Sequence, residues 1–355
     1  GVVYLAGQSA PSRRKVALKV IKVGMDTREV ISRFESERQA LALMDHANIA
    51  KVLDAGATEE GRPYFVMEYI QGVPLNRFCE ENNLGLQERL DLFIQVCRGV
   101  QHAHTKGIIH RDLKPGNILV AEIEGKPVPK IIDFGVAKAT SHHLAAQTLF
   151  TQQGQMIGTP EYMSPEQAGT GVADVDTRSD IYSLGVILYE LLTGVLPLER
   201  REIMRAGLER MALLVRNEIP KKPSTRIDTV AKTEARSSTE YGGNTRLWVK
   251  RVRGDLDWIT MKALEKEPDR RYGTPTEFAA DIERHLNNEP VVASPPSGLY
   301  RARKFVQRNR AGVTVSLILL LSLVAGVIGT SVGMVKSRRS EEKAVAAADR
   351  AESLT

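Results

Sequence analysis

The residues with the most chemical content in this chain of 355 residues fall in two short runs. The first is His110-Arg111-Asp112-Leu113-Lys114-Pro115-Gly116-Asn117, and the second is Asp133-Phe134-Gly135. Together they supply an acid, a lysine, an amide and a second acid in fixed order. One carboxylate can steer an attacking hydroxyl. The other, with an amide oxygen, can hold a divalent cation, and the lysine can offset charge on a moving phosphoryl group. A single Asp before a turn is ordinarily a cap or an Asx-turn; the ordered set arising by chance is very improbable.

That order resembles the signature set of protein kinases, and the chain is similar to Ser/Thr kinases of the bacterial membrane-anchored (Hanks-type, eukaryotic-like) kind. The resemblance implies an α+β, bilobal fold, with a small β-rich N-lobe and a larger helical C-lobe, followed here by one transmembrane helix. It implies ATP and Mg²⁺ (Mn²⁺ as the alternative ion), with Asp112 as catalytic base, Lys114 near the γ-phosphate, and Asn117 and Asp133 on the metal. Lys114 goes with Ser/Thr acceptors, as does the run Gly158-Thr159-Pro160-Glu161-Tyr162-Met163-Ser164-Pro165-Glu166. This run resembles a substrate-docking loop, with Thr159 touching Asp112 and Lys114, and Ser-Pro-Glu where Ala-Pro-Glu is usual.

Further upstream, Lys19 shares a strand face with Ala17, and Glu37 occupies a slot on an otherwise apolar helical stripe, where an unpaired carboxylate is costly. A lysine from the neighbouring strand is its natural partner. The resemblance implies the same pair, with Lys19 gripping the α- and β-phosphates. It also places Val3, Ala17 and Leu119 around the adenine, and backbone groups of Glu68 and Ile70 on its edge. Gly1-Val2-Val3 matches the tail of a Gly-rich phosphate loop whose first glycines are absent from the chain, so the chain is read as a piece of a longer protein. Asp180 is expected to bond the catalytic-loop amides, and Glu166 to pair with Arg271, Arg270 being the rival. Arg111 points to an activation loop ordered by phosphorylation, with Thr148 and Thr151 as the favoured sites of autophosphorylation.

These groups need elements to hold them. Val16, Leu18 and Val20 alternate with their neighbours as a strand does. A helix is expected over 28–44 and a strand over 64–69, ended by Gly72. From Leu75 to Leu286 the pattern is mostly helical, with a stripe of Leu86, Leu90, Phe93, Cys97 and Val100 and a nearly all-apolar helix over 180–192. Short strands flank the signature at 118–120 and 130–132. The boundaries read as an N-lobe over 1–70, a C-lobe over 71–287 with an exposed excursion at 199–253, a basic juxtamembrane linker over 288–310, a transmembrane helix over 311–335, and the start of a further region over 336–355.

The totals exclude several classes. Hydrophobic residues at 42% and charged at 26% fit a folded protein with a packed core. Cys79 and Cys97 have no metal-type spacing and form no disulfide framework, and the histidines lack partners for a ligand set. The net charge of +6 concentrates in two clusters. Arg246 to Arg253 includes Trp248, but one Trp is a thin platform for nucleic acid, and a docked surface helix is the better reading. Arg301 to Arg310 abuts the uncharged run Val313 to Val335, roughly 35 Å of helix against a hydrocarbon core of about 30 Å, so lipid headgroups are its expected partner. The expected setting is a single-pass protein of the cell membrane with its kinase domain cytoplasmic, taking protein substrates, with a homodimer for trans-autophosphorylation as an open option. Two rivals remain at this level: a pseudokinase acting as a membrane-tethered docking scaffold, and a small-molecule phosphotransferase, against which the docking loop argues.

Overall fold

The computed structural model describes residues 2–9, 13–20, 41, 43–134, 160–168, 175–198, 207–233 and 244–352, without the side chains of 207–211, 232–233 and 342–352. Gly1, Glu37, Thr148, Thr151 and Thr159 lie outside the described residues, as does most of the helix expected over 28–44.

The first lobe is an antiparallel sheet of β1 (Val2–Gln8), β2 (Arg14–Val20), β3 (Val52–Ala57) and β4 (Pro63–Glu68), in the order β1-β2-β4-β3. Among the described residues β1 pairs on one side only, and its Val2, Val3, Tyr4 and Leu5 are exposed. On the central pair, Val16 on one face and Phe65 on the other are each 3% exposed. Side chains alternate along a strand, so the register decides what meets what. Val3 lies opposite Lys19 and Lys19 opposite Phe65; Leu5 lies opposite Ala17 and Ala17 opposite Met67. Val3, Ala17, Lys19 and Met67 therefore share one face.

The chain leaves β4 through Tyr69 and Ile70 and turns at Gly72, where a Cβ would stand 2.7 Å from the Val120 carbonyl oxygen. Only glycine allows that approach. A second sheet follows, β5 (Val73–Pro74), β6 (Ile118–Ile123) and β7 (Lys126–Ile131) in chain order. It is tied back to the first lobe by a short parallel bridge. Ile131 N donates to the Asn48 carbonyl at 2.8 Å, Ala50 N donates to the Ile131 carbonyl at 2.9 Å, and the buried Asn48 side chain donates to Pro129 O at 2.9 Å.

The rest of the lobe is helical: α1 (Leu75–Glu81), α2 (Leu86–Thr105), α3 (Thr177–Thr193), α4 (Gly207–Asn217), α5 (Pro223–Thr233), α6 (Thr245–Val252), α7 (Asp255–Ala263) and α8 (Pro275–Leu286). Every residue of the expected α2 stripe is buried. α3 is the centre of the lobe, apolar nearly all round. Asp176 caps its first turn by accepting from Arg178 N, and Gly194 ends it in the left-handed region at φ 68°.

The stretch 199–253 departs from the expected exposed excursion. Its described part holds α4, α5 and α6, and Ile227, Val230, Trp248, Val249 and Val252 are buried. The Trp248 indole donates to Leu192 O at 3.0 Å, and Arg89 lies over its ring at 5.1 Å. Polar residues on the outward face of short helices mask a buried stripe, and this docking of α6 removes Trp248 as a stacking platform.

Past α8, residues 291–295 pack with this domain. Asp281, fully buried, accepts from Tyr272 OH at 2.9 Å, Val292 N at 2.6 Å and Ala293 N at 2.9 Å. A separate unit contains α9 (Gly298–Arg308) and α10 (Arg310–Glu352). Within Arg310–Glu341 an 18-residue window has a mean hydropathy of 2.5 and none of it is buried, a candidate membrane crossing. Replacing Asp281 with Ala leaves buried donors unmatched, and we expect a loss of about 2–4 kcal/mol in stability. Amides 292 and 293 should also exchange faster than those of α8, measured by denaturant titration and hydrogen exchange.

Candidate active site

The loop between α2 and β6 carries the signature, and a single carboxylate holds its backbone. Asp180 Oδ2 accepts from His110 N at 2.8 Å and His104 Nε2 at 2.7 Å, and Oδ1 accepts from Arg111 N at 2.8 Å. Burial works to raise the pKa of this fully buried carboxyl. The bonds from His104 and the loop amide outweigh it and hold the group below the ordinary carboxylate value. Asp180 sits in the first turn of α3, where the helix dipole also favours negative charge.

His110 braces the loop from beneath. Its Nε2 lies 3.1 Å from Ile132 O and its Nδ1 accepts from Asp112 N at 3.3 Å, so the tautomer is Nε2–H. Its ring packs on Phe134, centroids 4.8 Å apart. Burial holds its pKa below the ordinary histidine value, although Asp180, Asp112 and Asp133 pull the other way. Arg111, at φ 62°, adopts a left-handed conformation rare outside glycine. The turn it makes presents Asp112, about a quarter exposed.

The signature side chains converge on one carboxylate. Asp112 Oδ2 accepts from Lys114 Nζ at 2.9 Å and from Asn117 Nδ2 at 3.2 Å, and Asn117 Nδ2 also donates to Asp112 O at 2.8 Å. With its NH₂ so engaged, Asn117 turns its amide oxygen away from Asp112. Its backbone carbonyl accepts from Ile132 N at 2.9 Å, which brings it next to Asp133. Asp133 is left-handed too, at φ 60°, and its Oδ1 accepts from Lys19 Nζ at 2.8 Å. Oδ2 of Asp133 and Oδ1 of Asn117 have no partner among the described residues. Two oxygen donors of this kind suit a hard divalent cation.

The structure thus brings together Lys19, Asp112, Lys114, Asn117 and Asp133. Lys19 was expected to pair with Glu37, which lies outside the described residues; its described partner is Asp133. Lys19 and Asp133 also line a small cavity with Met44, Phe65, Met67 and Phe134. Val3 and Ala17 stand on the Lys19 face of the first sheet, and half-buried Leu119 is on β6 between Pro74 and Lys130.

Behind the segment 160–168, Arg271 forms two parallel bonds of 2.8 Å to Glu166, to which Ser179 Oγ adds one at 2.6 Å. Arg271 also donates to the carbonyls of Glu265, Arg178 and Lys266. Burial raises the Glu166 pKa, but these bonds more than reverse it. Arg270 pairs instead with Glu267 at the surface.

Some contributors were not anticipated. Glu68 was expected to act through its backbone. Its side chain pairs with Lys130 of β7 at 3.2 Å and accepts from Lys51 N at 3.1 Å, joining the end of β4 to the other lobe. The available signal is a lysine inside the apolar run Pro129-Lys130-Ile131-Ile132, which demands an acid. Gln167 donates to Arg111 O at 3.1 Å, linking the segment 160–168 to the signature loop. His104 and Gln167 carry no pattern that a single sequence discloses.

A two-lobed fold with this cluster at the junction is the architecture of protein kinases, and the protein kinase domain family matches residues 1–281. The chain belongs to that family. It is similar to the serine/threonine-protein kinase Pkn1 of Myxococcus xanthus, 35% identical over 305 residues, 84% of this chain and 39% of that protein. It is similar also to PknB of Mycobacterium leprae, 33% identical over 285 residues, and to a probable serine/threonine-protein kinase PknB of Bifidobacterium longum, 32% over 311. These cover 79% and 83% of this chain and 40% of each relative, so the chain spans about two-fifths of the length of these proteins.

Substituting Glu166 with Gln strands a buried guanidinium and should cost about 3–5 kcal/mol in denaturant unfolding. Stability should also fall with acid. His110 is folded as the neutral ring, so the unfolded chain takes up the extra proton, and stability present above about pH 6.5 is lost as pH drops below it. Asp180 and Glu166 add a second loss on the acid side of about pH 4, as the pH falls toward their depressed folded values. Melting temperatures from pH 7 to 3 check this. His110→Leu should flatten the first limb, the remaining slope coming from His46, whose pKa burial also lowers.

Proposed function

We propose that this protein transfers the γ-phosphoryl group of ATP to Ser or Thr hydroxyls of protein substrates. The observation that most supports it is the engagement of Asn117 by Asp112, which leaves one amide oxygen and one Asp133 carboxylate oxygen for a cation beside the Lys19 ammonium. Mg²⁺, or Mn²⁺ on the same oxygen donors, would supply charge neutralisation at the phosphates. Asn117 and Asp133 would hold it, and Lys19 would grip the α- and β-phosphates. Val3, Ala17 and Leu119 would enclose the adenine, with backbone groups of Glu68 and Ile70 at its edge.

The chain's own work is then positioning. Asp112 orients the acceptor hydroxyl and receives its proton late, because phosphoryl transfer passes through a loose transition state. Lys114, already 2.9 Å from Asp112, neutralises charge on the transferring group. Asp180 and His110 fix the loop, and Glu166 with Arg271 fixes the docking segment, in which Thr159 would contact Asp112 and Lys114. Arg111 would receive a phosphate from Thr148 or Thr151 after autophosphorylation, in trans if two copies meet.

The domain layout proposed with this is an N-lobe over 1–70, a C-lobe over 71–287, a basic juxtamembrane stretch over 288–310, a transmembrane helix over 311–335 and a further region from 336. ATP is cytosolic, so the kinase domain faces the cytoplasm and the helix crosses the cell membrane once.

In a radiolabelled ATP assay on the full-length protein, Asp112→Asn should lose about 10²–10⁴ in kcat with ATP affinity retained, while Lys19→Met should lose affinity as well. Equal labelling by wild type and Asp112→Asn would refute the assignment. Phosphopeptide mass spectrometry of active enzyme should find Thr148 or Thr151 modified.

A further inference from the structure

We infer that α9 is an interfacial helix that lies on the anionic face of a membrane, immersing its apolar stripe and placing arginines against lipid phosphates; this rests on the reading of α10 as a membrane span. Along Gly298–Arg308, Leu299, Ala302, Phe305 and Val306 fall within one third of the helix circumference at 100° per residue. These four are exposed to water, Leu299 at 86%. Arg301 and Arg308 border the stripe on one side and Arg303 on the other. Lys304 is different: it is buried, its ammonium 5.9 Å from the Tyr300 ring. The helix holds no acidic residue, and none occurs between Pro290 and Ser340. Arg301 and Arg303 make no ion pair among the described residues, and Arg308 has a loose one to Glu289 at 3.4 Å.

Two further observations say what covers the stripe. Asn309, at ψ 38°, interrupts the helix, so α9 and α10 are separate segments. Across that break Phe305 shares one shallow groove with Gly312, Val313, Leu317 and Leu320 of α10. The apolar surface of α9 therefore runs into the span without interruption, one residue from its start. A strongly polar face rich in arginine, an apolar face of Leu, Phe and Val, and adjacency to a crossing helix match a segment lying in the headgroup–acyl boundary. Cations that close to the surface attract anionic lipid.

The test uses the full chain reconstituted in lipid nanodiscs. Cys79 and Cys97 are fully buried, so a single introduced cysteine takes an environment-sensitive fluorophore. Labels go at Leu299→Cys and Val306→Cys on the apolar face, Gln307→Cys on the opposite face, and Leu319→Cys within the span. Discs are phosphatidylcholine alone or with about a third phosphatidylglycerol. We expect blue-shifted emission at 299 and 306 in phosphatidylglycerol discs, a smaller shift in phosphatidylcholine, and water-like emission at 307. Adding Arg301→Gln, Arg303→Gln and Arg308→Gln should abolish the difference between lipids. Water-like emission at 299 and 306 while 319 reads as lipid overturns the inference alone. Equal shifts at 299 and 307, or in both lipids, overturn it too. Water-like emission at 319 overturns the membrane span itself and this inference with it.

Discussion

The site depends first on the carboxylate of Asp180. A catalytic loop has no regular ladder to satisfy its own amides, and buried amides left unpaired are costly. Here the amides of His110 and Arg111 end on one acid. That acid stands on α3, the most completely buried helix of the domain, so the loop takes its rigidity from the core. The left-handed turn at Arg111 persists because both sides of it are bonded, its N to Asp180 and its carbonyl to Gln167. Local strain at a functional loop survives only where its surroundings over-determine it.

The second requirement is that two lobes present their groups to one volume. Strand register does this on the small lobe, where pairing of β1, β2 and β4 lines up Val3, Ala17 and Lys19. On the large lobe, the strand pair β6–β7 places Asn117 beside the residue preceding Asp133. Among the described residues, links between lobes include Lys19 to Asp133, Glu68 to Lys130, and the Asn48–Ala50 bridge to Ile131. The first two are partly exposed ion pairs and weak individually. The bridge is backbone, buried, and accompanied by the Asn48 side chain, so it is the firmer hinge point.

Much of this was legible because periodicity reports burial. The α2 stripe and the all-apolar α3 follow from 3.6-residue spacing, and β2 and β4 from alternation. The signature residues were legible because their order is dense and specific. What escaped did so for physical reasons. β1 is an exposed edge, so nothing on it must be apolar. β3, Val52-Leu53-Asp54-Ala55-Gly56-Ala57, has a register shift between Val52 and Asp54 and little alternation. α5 and α6 bury narrow stripes beneath polar surfaces, which reads as an exposed excursion. The contacts of His104 and Gln167 join residues 76 and 56 positions apart, and no local pattern encodes that distance.

The C-terminal part of the chain obeys a different rule. Up to Pro295 the chain is held by aqueous-protein means: Asp281 gathers two backbone amides and a phenol, and Val291 is buried. From Gly298 onward apolar side chains stop being covered by protein, first on one face of α9 and then on all faces of α10. Exposure of that kind over so many consecutive residues is untenable in water and natural in lipid, where helices satisfy their own backbone.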